Sequence, residues 1–136
     1  MSDPRTELEA RPMKYALLLY ADEAEWDGLD PEAQGKVMAQ HEAATEAMQA
    51  AGAYVGGEAL SLTNTARTPR LRDGKPLVTD GPFIEAKEAL GGFYLVECGS
   101  MDEALDFAAR IPEARIGGVE VRPLLDFEAL GAEAAG

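Results

Sequence analysis

One histidine, one cysteine and one tryptophan in 136 residues leave this chain short of the side chains on which much enzyme chemistry is built. The lone thiol, Cys98, excludes an internal disulfide, and its place in an apolar strand argues against a reactive nucleophile. A single cysteine and a single histidine cannot form a His/Cys zinc cluster. His41 with carboxylates alone would hold a metal only weakly, so no metal is expected. Basic side chains are scarce as well: 12 against 25 acidic ones, a net charge of −13. Nucleic-acid backbones and anionic membranes repel such a surface, so neither is an expected partner. There is no apolar run behind a basic start and no spanning segment, and a cytoplasmic location is expected. The chain also lacks a G-x-S-x-G elbow, a P-loop and a dinucleotide fingerprint. Its Gly91-Gly92 pair precedes a strand rather than a helix, so no nucleotide cofactor is expected.

What is present suffices for one domain. The 46% of hydrophobic residues can build an ordinary core without a disulfide or metal staple. Residues 1–12 read as a flexible acidic tail, 13–127 as the domain, and 128–136 as a second flexible tail. Met13 to Tyr20 is apolar in both alternating sets, the mark of a strand covered on both faces. Asp30 and Pro31 open a helix that runs to about Ala51 and stops at Gly52. Val37, His41, Ala44 and Met48 share one stripe of it, which turns the only imidazole inward. Ala53 to Leu60 is a weaker strand. Arg67 to Val78 is a hairpin about Asp73-Gly74, the dipeptide that suits a two-residue turn. Gly92 to Cys98 is again apolar on both sides. Ser100 and Glu103 make a capping box for a helix from Met101 to Ile111, closed by Pro112, and Val119 to Leu124 is the last strand.

The order β-α-β, inserted hairpin, β-α-β predicts an α+β fold with an antiparallel sheet and helices on one face. Apolar side chains on the other face need a cover, and a second copy of the sheet is the simplest one. A homodimer is therefore expected.

Two features carry the chemistry. Thr79-Asp80-Gly81-Pro82-Phe83 is a stiff turn led by a carboxylate, because proline fixes φ and glycine permits unusual backbone. His41 is the one imidazole. Paired, Asp80 would fix the His41 tautomer and leave the other nitrogen free to take a proton near neutral pH. Arg70 is the first choice to anchor a carboxylate ligand, since guanidinium grips that group in two prongs. Tyr20, Glu58 and Phe83 complete the expected substrate-binding set. Trp26, in the acidic stretch from Asp22 to Asp30, is read as packing or as a lid over a pocket.

Taken together, Lys14-Tyr15-Ala16-Leu17-Leu18-Leu19-Tyr20, His41, Gly57-Glu58-Ala59-Leu60, Arg72-Asp73-Gly74, Thr79-Asp80-Gly81-Pro82-Phe83, Gly91-Gly92-Phe93-Tyr94 and Val119-Glu120-Val121-Arg122-Pro123 resemble the DGPF-type branch of the YCII-related proteins. The resemblance runs from about Met13 to Phe127. It implies a ferredoxin-like α+β fold that dimerises as dimeric α+β barrels do, with His41 and Asp80 matching the family's His–Asp pair. Ala86 departs from the pattern, which often has threonine there. The expected function is a cofactor-independent acid–base enzyme acting on a small organic acid, lactone or related carbonyl compound. The alternative is a non-catalytic module that binds a ligand or a protein partner, an extracytoplasmic-function sigma factor being the partner the resemblance implies.

Overall fold

The computed structural model describes the backbone of residues 12–135 and the side chains of residues 12–131. The tail read over residues 1–12 therefore lies almost wholly outside the described residues. Strand β1, Met13–Ala21, is followed by a short helix α1, Glu23–Asp27, and a long helix α2, Pro31–Ala50. Strand β2, Tyr54–Ala59, leads through a 3-10 turn, Thr63–Thr65, to the hairpin strands β3, Arg67–Arg72, and β4, Lys75–Asp80. Strand β5, Ala89–Cys98, helix α3, Met101–Ala109, helix α4, Glu113–Ile116, strand β6, Gly118–Pro123, and helix α5, Phe127–Ala135, complete the chain.

The main sheet has the order β2-β5-β1-β6, with every neighbouring pair antiparallel. Without the hairpin this is the β-α-β-β-α-β arrangement of a ferredoxin-like α+β fold, with the two βα crossovers interleaved. Hairpin β3–β4 forms a separate two-stranded sheet inserted between the second and third strands of that core. Asp73 (φ 51°) and Gly74 (φ 75°) take the positive φ values that its two-residue turn demands.

The sequence devices act where expected. Asp30 caps α2 by accepting from Ala33 N at 2.8 Å, Pro31 occupies its first turn, and Gly52 sits at φ 69° just past its end. Ser100 caps α3 by accepting from Glu103 N at 3.2 Å, while the Glu103 carboxylate accepts from Gly99 N rather than from the cap residue itself. The register slips between Tyr54 and Gly56, the bulge that Gly56-Gly57 foretells.

Alternation along β1 sends Tyr15, Leu17 and Leu19 to one face of the sheet, where they meet Ala44 and Met48 of α2 and Ala104 and Ala108 of α3. Leu17, Met48 and Ile111 are fully buried there. The opposite face carries Leu18, Phe93 and Leu95, each only half-buried. Three elements differ from the sequence reading. The acidic stretch after β1 winds into α1, capped by Asp22. Residues after Pro112 form α4, and residues 127–135 form a helix where a frayed end was expected. Glu85 to Glu88, after the hairpin, have no helical structure. Among the described residues no helix is long and apolar enough to cross a membrane.

Candidate active site

His41 lies in the middle of α2 with its ring turned to the sheet, and both ring nitrogens are engaged. Nδ1 lies 2.8 Å from the Tyr94 hydroxyl and Nε2 2.9 Å from Glu113 Oε1. One turn on, Thr45 Oγ1 donates to the His41 carbonyl at 2.9 Å. Tyr94 comes from the middle of β5, and Glu113 from the first position of α4. Pro112, fully buried ahead of it, fixes where that helix starts. Gly57 on β2 makes room for the phenol, since a Cβ at that position would lie 2.8 Å from Tyr94 Cδ1.

The hydrogen-bond roles follow from donor capacity. An ionised carboxylate only accepts, so with Glu113 charged the Nε2 atom carries the hydrogen and Nδ1 is left to accept from the Tyr94 hydroxyl. The second oxygen, Glu113 Oε2, is buried and has no hydrogen-bond partner among the described residues. Through Oε1 the Glu113 carboxylate faces the ring, where it would stabilise a positive charge that develops on His41. Burial pushes the Tyr94 hydroxyl above its ordinary pKa of 10.0. The Thr45 side chain partly offsets this, and the Glu113 charge adds to it. Tyr94 is thus a protonated phenol at neutral pH, able to give a proton away and recover one through His41.

These three side chains stand at the wall of a cavity of about 610 Å³, within the range of roughly 300–1,000 Å³ common for small-molecule sites. Leu19, Trp26, Leu29, Val37, Leu60 and Ile116 supply much of its apolar lining. Helix α1 forms one side of it. Glu23 ties α1 to the 3-10 turn after β2 by accepting from Thr63 N at 2.8 Å and from Thr63 Oγ1 at 2.9 Å. Among the described residues, no group of three or more histidine, cysteine or acidic side chains is placed to hold a metal ion.

The model of the YCII-related domain matches residues 13–128 of this chain. The chain belongs to the YCII-related family. It is also 42% identical over 114 residues to an uncharacterised protein of Rhizobium meliloti (strain 1021), a match that covers 82% of this chain and 92% of that protein.

Within this YCII-related chain, the residues singled out from sequence separate into two groups. His41 and Glu58 line the cavity; Tyr20, Arg70, Asp80 and Phe83 do not. The expected contact between His41 and Asp80 does not form within the chain. The carboxylate on the imidazole is Glu113, while Asp80, with its side chain 89% exposed, accepts from Arg67 Nε at 3.1 Å. The physical reason is register. Asp80 pairs with Arg67 at the base of a hairpin that forms its own sheet and is not a strand of the main one. Arg70 lies over the exposed Phe83 ring, 5.2 Å from its centroid, and anchors nothing in the cavity. Sequence reasoning missed Tyr94 and Glu113. Tyr94 stood in a strand read only for its apolar character. Glu113 followed a proline read as a stop, although Pro-Glu is equally the start of a new helix.

Proposed function

We propose that this YCII-related protein is a cofactor-independent acid–base enzyme that moves a proton on a small carbonyl compound, with Tyr94 as the group in contact with substrate. The observation that carries the reading is the chain of contacts from Glu113 through His41 to Tyr94 at the wall of an apolar cavity. In the forward sense the Tyr94 oxygen accepts a proton from the substrate while its own proton passes to His41 Nδ1. The imidazolium so formed is held by Glu113 at Nε2. In the return sense His41 Nδ1 gives that proton back to the Tyr94 oxygen, and Tyr94 protonates the substrate at a second position. One proton leaves and one returns, so the net reaction is an isomerisation or, where a leaving group departs, an elimination. Proton transfer by a placed group contributes typically 10²–10⁴-fold in rate, and the surrounding hydrocarbon strengthens each polar contact by excluding water. The turn Asp80-Gly81-Pro82-Phe83 supports a finer placing in the DGPF-type branch. The half-buried Leu18, Phe93 and Leu95 on the far face of the sheet support a homodimer packed through that face.

The test is solvent deuterium uptake. Keto acids, cyclic ketones and lactones bearing α-hydrogens are incubated with the protein in D₂O and followed by NMR. Accelerated exchange is expected for at least one compound, with a loss of about 10²-fold or more in Tyr94→Phe and His41→Ala. Asp80→Asn is expected to exchange as the parent does. Exchange that survives Tyr94→Phe and His41→Ala at the parent rate rejects the relay.

A second reading rests on one observation. Hairpin β3–β4 exposes Leu71, Leu77 and Val78, and Phe83 and Ile84 follow it, also exposed. Such a surface suits a module that binds a protein partner, the sigma-factor association being one instance. Co-purification that tolerates Tyr94→Phe and fails in Leu71→Asp/Leu77→Asp favours it.

A further inference from the structure

The cavity has charges of only one sign to offer a ligand. Its lining holds five carboxylates, Asp22, Glu23, Glu25, Glu58 and Glu113, and among the described residues no lysine or arginine. His41 is the one lining group that can become positive, and its Nε2 already faces Glu113 at 2.9 Å. An anion drawn into this space would leave water without gaining a counter-charge, the costliest form of burial. Among the described residues the carboxylates do not gather into a metal-ion site either. Asp22 is occupied in capping α1, where it accepts from Ala24 N at 3.0 Å, and both oxygens of Glu23 accept from Thr63. The neutral side-chain donors among the lining groups are the Trp26 indole and the hydroxyls of Thr45, Tyr54, Ser61 and Tyr94.

We infer that the ligand of this cavity is an uncharged, mainly hydrocarbon molecule that sets one carbonyl or hydroxyl oxygen against Tyr94, and that carboxylates and phosphates are turned away. The inference rests on reading this cavity as the reaction site, and it narrows the expected small organic acid to its neutral counterparts, ketones, lactones or esters. Apolar surface supplies the attraction, and one hydrogen bond supplies the orientation.

The experiment uses the intact protein and the neutral fluorophore N-phenyl-1-naphthylamine, displaced by three molecules of one chain length: 2-octanone, octanoate and octylammonium. The ketone is expected to displace the fluorophore at concentrations lower by about tenfold or more than either ion, the equivalent of roughly 1.4 kcal/mol. Octanoate equal to or better than the ketone overturns the inference, and so does octylammonium as the best of the three. The site is checked with Ala59→Phe and Val37→Phe, which place a ring in the cavity from two different elements. Each is expected to abolish fluorophore binding with the circular dichroism spectrum unchanged. Binding that persists in both puts the fluorophore elsewhere and also overturns it. Displacement reads binding alone, whereas deuterium uptake reads proton transfer. A failed ligand order with intact exchange removes this inference and leaves the relay, and the converse result removes the relay and leaves the inference.

Discussion

A methyl group on residue 57 would lie 2.8 Å from Tyr94 Cδ1 and 2.8 Å from the Phe93 carbonyl oxygen, closer than real side chains approach. The sheet backbone cannot yield easily, so the phenol must move, and its 2.8 Å contact with His41 goes with it. Gly57→Ala is expected to cost about 1–3 kcal/mol of stability, the usual range for overpacking. Deuterium uptake should fall more than the thermal midpoint explains. Equal exchange in parent and variant would show that Tyr94 does not need its present position. The raised pKa values make a second prediction at this scale. Burial raises Tyr94 from 10.0 and Cys98 from 9.0, the Ser100 backbone opposing the latter shift and Glu103 adding to it. Because the folded values exceed the unfolded ones, the unfolded chain releases its protons first as pH rises. The native state then holds more protons, and stability falls with pH. Thermal midpoints should be insensitive to these groups at neutral pH and decline from about pH 9 upward, where the Cys98 reference value of 9.0 is reached. Cys98→Ala should remove the earlier part of that decline, and an unchanged profile would contradict the assignment.

Helix α1 is only five residues long, and propensity cannot hold it. Its Asp22 cap and the two hydrogen bonds from Thr63 to Glu23 do so, and they keep Trp26 against the cavity. Hydrogen bonds to a charged acceptor contribute roughly 1.5–3 kcal/mol each at most, and less where water competes. Glu23→Gln and Thr63→Ala are therefore expected to loosen α1 with little loss of global stability. Emission from the single tryptophan should shift to the red and become more open to acrylamide quenching, and spectra that match the parent would rule the latch out. The same element marks a boundary of sequence reading. Caps, turn dipeptides and two-sided apolar strands act within a few residues, and from them the α2 start at Asp30, the Asp73-Gly74 turn and the central strands β1 and β5 were legible. Most of the candidate site was not. His41 was visible because it is the only imidazole, and Glu58 was placed near it. The partners that hold the ring lie 53 and 72 positions further along the chain, and only the crossing of strand order brings them to it. Asp80 drew attention through a stiff local turn, yet local stiffness says nothing about which sheet the turn belongs to.

For the whole molecule, the question is what covers the far side of the main sheet. Two copies packed through Leu18, Phe93 and Leu95 are the proposal, and sedimentation at low micromolar concentration should then report about twice the 14.5 kDa of one chain. Each copy carries a net charge of −13, so association should tighten as salt rises from about 0.01 to 0.15 M and the repulsion is screened. Phe93→Glu should give a monomer. A parent that sediments as one chain at all salt concentrations would leave the face without a partner of its own kind.

Hairpin β3–β4 leaves and rejoins the domain at a single point, where Gly81 N donates to the Ala66 carbonyl at 2.8 Å. Arg67 to Asp80 is thus a removable cassette: splicing Ala66 to Gly81 through a tight turn spans a gap already closed by that bond. Because the excised stretch contains four basic and two acidic side chains, the shortened protein would carry −15 instead of −13. Folding, cavity and imidazole would stay intact in it, while every property that belongs to the appendage would disappear at one stroke.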